Sequence, residues 1–242
     1  MGIKKGVAVF IAAFAGLAII FSFSFADEKT YTDYSIDAVD DNLLMVWQDS
    51  NGNALKNFDA LKTLLAAQGK QLVFATNGGM YTQTSSPLGL YIEKGKQLQS
   101  LNTRDASGNF YLKPNGVFYI TQKNKAHIVT TPNMTAERIK EAKYATQSGP
   151  MLLVDGEVHP EFKDGSTNIN IRNGVGILPN GGVVFSISNQ PVNLYDFAMH
   201  FKNKGCKNAL YLDGFVSKMY LPSAGKEGSE RDRFGVMIAV VK

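Results

Sequence analysis

Cysteine is almost absent. Cys206 is the only one in 242 residues, so no intrachain disulfide can brace the fold, and stability must come from the core. We read Cys206 as a small buried residue. Charge of one sign is also missing. There are 25 Lys and Arg against 21 Asp and Glu, and setting aside Lys4 and Lys5 leaves 23 against 21, a formal charge of +2. So even a balance gives no electrostatic footprint for nucleic acid, and the runs KGK and KNK read as turns. No G-x-S-x-G seats an α/β-hydrolase serine, and no G-x-x-x-x-G-K cradles phosphates. His127, His159 and His200 are far apart and match no metal-ligand spacing. That pattern places them at the surface or behind a site and predicts no cofactor, leaving a divalent cation open. No internal repeat or low-complexity tract appears.

One long apolar run is present. Lys4 and Lys5 precede Val7 to Phe21, and small residues at Ser24 to Ala26 follow. This is the pattern of a signal peptide over residues 1–26, cleaved on export. The alternative is an uncleaved anchor, since Val7 to Phe25 is just long enough to span a bilayer. The expected mature chain, 27–242, is a single domain of 216 residues in the periplasm or secreted, with no further membrane segment.

Along that domain, "LLMVWQ" (Leu43 to Gln48) and "QLVFAT" (Gln71 to Thr76) read as strands. Between them Asn57 caps a helix whose Phe58, Leu61, Leu64 and Leu65 share a face and which stops at Gly69. "LGLYIE", "GVFYIT" and "AHIVTT" are further strands. Thr135 to Lys143 is a short helix. Asp155-Gly156 and Pro179 to Gly182 turn two hairpins. Leu194, Phe197, Ala198 and Phe201 recur at helical spacing up to Gly205, and "NALYLD" and "FGVMIAVV" are buried strands. About ten strands with two or three helices, mostly hairpin-linked, predict an α+β fold of mixed or antiparallel sheets with the helices outside.

Polar residues gather at strand ends beside glycine. "FATNGGMY" carries a strand into Asn77, Gly78 and Gly79. "ATQSGPMLL" places Gln147 and Ser148 before Gly149 and Pro150. "YLDGFVS" brings Asp213 out of a strand into Gly214, with Ser217 four residues on. Rigid strand ends hold chemistry better than loop tips, and glycine clears room for a ligand. Each pair alone also reads as a turn. Arg172, the one charge between Asn168 and Leu178, requires an anionic partner, either Asp213 or a ligand phosphate gripped by its planar fork. A structural ion pair is the other reading.

Taken in order, "NGGMY", "QSGPMLLVDG", "IRNGVGI" and "GCKNALYLDGFVS" resemble the phosphodiester glycosidase family over about Asn77 to Val241, and its short bacterial exported members above all. The resemblance implies an αββα-type sandwich and cleavage of the sugar C1–O bond in a sugar-1-phosphodiester. It sets the family's Asn-Gly-Gly on Asn77, Gly78 and Gly79, its Ser-Gly-Pro on Ser148, Gly149 and Pro150, its arginine on Arg172, and its Leu-Asp-Gly-Gly-x-Ser on Leu212 to Ser217. Here Phe215 replaces the second glycine of that last motif, and Met80-Tyr81 replaces the usual aromatic pair.

The implied substrate is a sugar phosphate or an envelope glycan. Asp213 would act as general base or nucleophile, and Arg172 would stabilise charge on the departing phosphate. Asn77 and the amides of Gly78 and Gly79 would orient the ligand. Ser148, Gly149, Gly214 and Ser217 would complete the pocket, and Arg104 and Lys113 would add to phosphate binding. The alternative is a carbohydrate- or anion-binding module of the envelope that has lost turnover.

Overall fold

The computed structural model describes residues 30–214 and 216–242. The expected signal peptide, residues 1–26, and Phe215 lie outside the described residues. An edge strand, β1 (Tyr31–Ile36), comes first. The sequence pattern left it unassigned, because "YTDYSI" has few apolar residues and no clean alternation. Then come β2 (Leu43–Val46), α1 (Phe58–Ala67) and β3 (Leu72–Asn77). Asn57 caps α1 by accepting from the Ala60 N–H at 2.8 Å, and Phe58, Leu61 and Leu65 are buried as the spacing predicts.

The middle of the chain forms β4 (Tyr91–Glu93), β5 (Lys96–Gln99), β6 (Gly116–Thr121), β7 (Ala126–Thr130), α2 (Ala136–Glu141) and β8 (Ala142–Ser148). Helix α2 ends two residues before the expected Lys143. Ala142 turns to extended backbone and joins β8, which pairs with β6, so tertiary pairing overrides a good helical stretch. The remainder is β9 (Met151–Val154), β10 (Glu157–Val158), β11 (Asn173–Ile177), β12 (Val183–Ser188), α3 (Leu194–Asn203), β13 (Ala209–Asp213), β14 (Met219–Tyr220) and β15 (Met237–Val241).

These strands make three antiparallel sheets, ordered β1-β12-β11-β13-β9-β10, β14-β3-β15-β2 and β5-β4-β8-β6-β7. The fold is α+β. One apolar cluster draws on all three sheets. In it Phe185 of β12 meets Phe74 of β3 at 5.2 Å and Phe118 of β6 edge-on at 5.9 Å between ring centres. A second cluster seats Phe197, Ala198 and Phe201 of α3 on Leu152, Leu153, Val184 and Tyr211. Among the described residues, no helix is long and apolar enough to cross a membrane.

Two of the histidines, expected at the surface or behind a site, are buried. His200 is buried in α3, where its Nε2 lies 2.9 Å from Asp33 Oδ1 and 3.1 Å from Ser186 Oγ. His159 is buried and stacked on Phe162 at 4.7 Å.

Candidate active site

Three strand ends singled out by sequence belong to three different sheets: Asn77 ends β3, Ser148 ends β8 and Asp213 ends β13. The fold brings them together. Asn77 Nδ2 donates to Asp213 Oδ2 at 2.6 Å and to the Val216 carbonyl at 2.5 Å. Asp213 Oδ1 accepts from the Val216 N–H at 3.3 Å. Ser148 Oγ donates to the Leu212 carbonyl at 2.8 Å, just behind the aspartate.

A β-bulge decides which way Asp213 points. The β11–β13 register runs Gly174 opposite Tyr211 and then Asn173 opposite Asp213, so Leu212 is an extra residue. Strict alternation would put Asp213 with Tyr211, on the face covered by α3. The bulge re-aims it toward β3 and Asn77 on the facing sheet.

At the centre of this junction stands Asn173, fully buried. Its Nδ2 lies 2.9 Å from Thr76 Oγ1, 2.8 Å from the Asn77 carbonyl and 3.0 Å from Asn77 Oδ1, and it donates into this cage. Its Oδ1 accepts from the Asp213 N–H and from Ser217 Oγ, both at 3.1 Å. Within "IRNGVGI" the isolated arginine draws attention and Asn173 does not. The only signal for it was a polar residue opening an apolar strand.

Asp213 and Gly214 line an open cleft of about 540 Å³ with Met80, Tyr81, Asn109, Phe110 and Tyr111. Gly214 lies against side-chain tips, and a Cβ there would sit 2.8 Å from Asn109 Nδ2 and displace that amide. Burial, with the charges of Asp213 and Asp232, pushes the Tyr81 hydroxyl up to about 12, so it stays protonated and donates to the Arg233 carbonyl at 2.5 Å. Aromatic faces around one oriented carboxylate suit a sugar ring, whose apolar C–H faces stack on them. The aromatics from the "GNFYL" stretch were missed in the sequence because they sit on a 3-10 turn with no strand-end signature.

Several expected ligand contacts are instead contacts within the protein. The Gly78 N–H donates to the Val236 carbonyl at 2.8 Å, so it is not available to orient a ligand. A Cβ on Gly78 would strike Ile238 Cγ1 at 2.5 Å. Gly79 adopts φ +118 and packs on Thr146. The Ser217 hydroxyl reaches Asn173 Oδ1 and the Asp213 carbonyl, and Ser148 is spent on Leu212. Gly149 packs against Asn115 and the Phe110 carbonyl. These positions build the support of Asp213.

Arg172 does not meet Asp213. It is buried, with Nε donating to the Val192 carbonyl at 2.7 Å, Nη1 to the Tyr211 hydroxyl at 2.9 Å and Nη2 to the Asn168 carbonyl at 2.8 Å. Neither expected partner, the aspartate or an exposed phosphate, fits this cage of neutral oxygens. Its side chain and that of Asn173 leave opposite faces of the sheet, as neighbours on a strand do. Arg104 is exposed, with its N–H and Nε on Asn102 Oδ1, and Lys113 pairs with Asp105; neither lines the cleft. Among the described residues no group of three or more His, Cys, Asp or Glu is placed to hold a metal.

Comparison with known proteins agrees with this architecture. The phosphodiester glycosidase family model matches residues 70–239. The uncharacterized protein YigE of Escherichia coli (strain K12) is 40% identical over 212 residues, which is 87% of this chain and 82% of that one. The catalytic domain of zebrafish N-acetylglucosamine-1-phosphodiester alpha-N-acetylglucosaminidase, auto-inhibited by pro-peptide, superposes with TM-score 0.59 at 16% identity, covering 87% of this chain and 82% of that chain. A hypothetical protein from Synechocystis gives TM-score 0.53 at 14% identity, over 87% of this chain and 59% of that chain. A family match over most of the described domain, joined to the aspartate-centred junction of three sheets, places this chain in the phosphodiester glycosidase family.

Proposed function

We propose that this protein is exported and hydrolyses the C1–O bond of a sugar-1-phosphodiester or a related envelope glycan. The observation that carries the reading is the Asp213 carboxylate, held at one oxygen by Asn77 and at the other by the Val216 amide, on the wall of an aromatic cleft. Export is supported by the charged, apolar and small-residue order of residues 1–26.

In this reading the sugar stacks on Tyr81 or Tyr111, which are half-buried, and Asp213 either deprotonates water or attacks the anomeric carbon. The transition state is oxocarbenium-like. Phosphate departs as a monoester that needs little protonation, so a second carboxylate is less necessary than in ordinary glycosidases.

The test is release of free sugar from a sugar-1-phosphodiester by the purified protein. Asp213→Ala is expected to lower turnover by roughly 10²–10⁴-fold; unchanged turnover overturns the assignment. A second reading, a binding module without turnover, is favoured by one feature: Asp213 is the single carboxylate lining the cleft among the described residues. Saturable binding of the same diester with no sugar released by the wild type would decide for it.

A further inference from the structure

A second cavity, of about 320 Å³, is more enclosed than the Asp213 cleft and shares no wall residue with it. It lies where β2 of the four-stranded sheet, the C-terminal half of α1 and the β4–β5 hairpin of the five-stranded sheet come together. Leu44 and Val46 of β2, with Leu64 and Leu65 of α1, give it an apolar side. By liquid volume it has room for about ten waters, enough for a compact ligand with an aliphatic side chain.

The facing wall is polar, and strand register makes it so. β4 and β8 pair with Tyr91 opposite Thr146 and Ile92 opposite Ala145, and the next step of that register sets Glu93 beside Tyr144. Alternation then puts Tyr91, Glu93 and Tyr144 on one face of the sheet. Tyr91 is fully buried, and its hydroxyl donates to Glu93 Oε2 at 2.7 Å. Glu93 is half-buried on the cavity wall, and among the described residues no cationic side chain forms an ion pair with it. Burial pushes the Glu93 carboxyl up from 4.5, against the Tyr91 hydrogen bond, the Lys94 charge and the Trp47 N–H. Tyr144 is 2% exposed, and its hydroxyl has no hydrogen-bond partner among the described residues, although a buried phenol usually finds one.

The mouth has the other sign. Lys70, just after α1, and Lys94, at the β4–β5 turn, are exposed on the cavity's rim, and neither is in an ion pair among the described residues. Asp49, the second carboxylate of the lining, already accepts from the Asn51 and Asn53 N–H groups of its own turn. A simple anion entering here meets Glu93, and a simple cation must pass two lysines. A ligand that carries both signs on an aliphatic body satisfies the inner wall, the rim and the apolar side together.

We propose that this cavity binds a zwitterion, an aliphatic amino acid or dipeptide, with its ammonium group on Glu93 and Tyr144, its carboxylate toward Lys70 and Lys94, and its side chain on Leu44, Val46 and Leu64. An ammonium group has three protons to place, and the Glu93 carboxylate and the Tyr144 oxygen are acceptors for two of them. Such charge-assisted bonds are stronger than neutral ones, and more so where water is partly excluded. The site is independent of the function proposed for Asp213.

The experiment is calorimetric titration of the purified protein with leucine and with leucylleucine. Saturable binding of leucine assigns the amino acid, and binding of leucylleucine alone assigns the dipeptide. No saturable binding of either overturns the proposal. Acetylating the amine of the ligand that binds, or converting its carboxylate to an amide, is expected to weaken binding roughly tenfold or more. Glu93→Gln is expected to weaken it by at least roughly tenfold, and Tyr144→Phe, which keeps the ring, by roughly threefold to tenfold. Lys94→Ala changes only an exposed side chain, so it guards against a folding defect in the other two. It is expected to narrow the preference for the carboxylate ligand over its amide by roughly threefold. Undiminished binding by Glu93→Gln with an unchanged circular dichroism spectrum, or an acetylated ligand bound as tightly as the free amine, overturns the assignment.

Discussion

Asn173 shows how a single buried amide can hold a site together from behind. Through one side chain it meets Thr76 and Asn77 of one segment and Asp213 and Ser217 of another, each far from it in sequence. A buried amide is stabilising only while its partners are present, because each group left unpaired costs about 1–3 kcal/mol. Asn173→Ala takes the acceptor from the Asp213 N–H and a donor from the Asn77 carbonyl and carboxamide oxygen, and we expect about 2–4 kcal/mol less stability in urea unfolding. Asp213 itself was legible in the sequence from its place between a buried strand and a glycine. Asn173 was not, because Asn-Gly is a common turn pair and only the facing sheet supplies its partners. The reverse happened at Arg172: its isolation in an apolar stretch marked it as important, but its partners are neutral oxygens contributed by the fold.

Helices were the most legible elements. Apolar spacing marks both long helices, and the expected Asn57 cap of the first is made; in the second, Asn193 caps a start that spacing alone had marked. Asn57→Ala removes the acceptor for the Ala60 N–H and is expected to cost about 1 kcal/mol, seen as a lower urea midpoint. Strands carry less local information. β1 lies at a sheet edge with partly exposed residues, so its pattern is faint until β12 pairs with it. The bulge at Leu212 has no sequence signature at all, yet it sends the aspartate toward β3 and away from the face covered by α3.

Over the whole molecule, the first strand and the last helix are joined by charge. Asp33 of β1 meets His200 of α3 at 2.9 Å and Lys204, just past the helix, at 2.6 Å. Burial alone pushes the Asp33 carboxyl up, but the His200 hydrogen bond and charge, with Lys204 and Ser186, outweigh it and bring it down from 3.8 to about 2. The folded value lies below the unfolded one, so this carboxylate stabilises the fold above pH 3.8 and the contribution is lost as pH falls toward 2. It amounts to about 2 kcal/mol. Thermal unfolding followed across that window should lose this increment in the wild type. In Asp33→Asn the loss should be absent, and a wild-type slope retained there would show that other carboxylates dominate the acid limb.

What the sequence determined by itself was local and periodic: the helices with their caps, the hairpin turns, the strand ends that carry Asn77, Ser148 and Asp213, and the motif order that marks the family. These follow from backbone preferences and side-chain spacing within a few residues, which a chain carries whether or not it is folded. The tertiary structure decided which of those ends face a ligand and which face one another. That is a matter of three sheets packing on one apolar core, and of hydrogen bonds between residues such as Asn77 and Val216, 139 positions apart. No short window of sequence records such contacts, because they exist only once the core has brought the strand ends together.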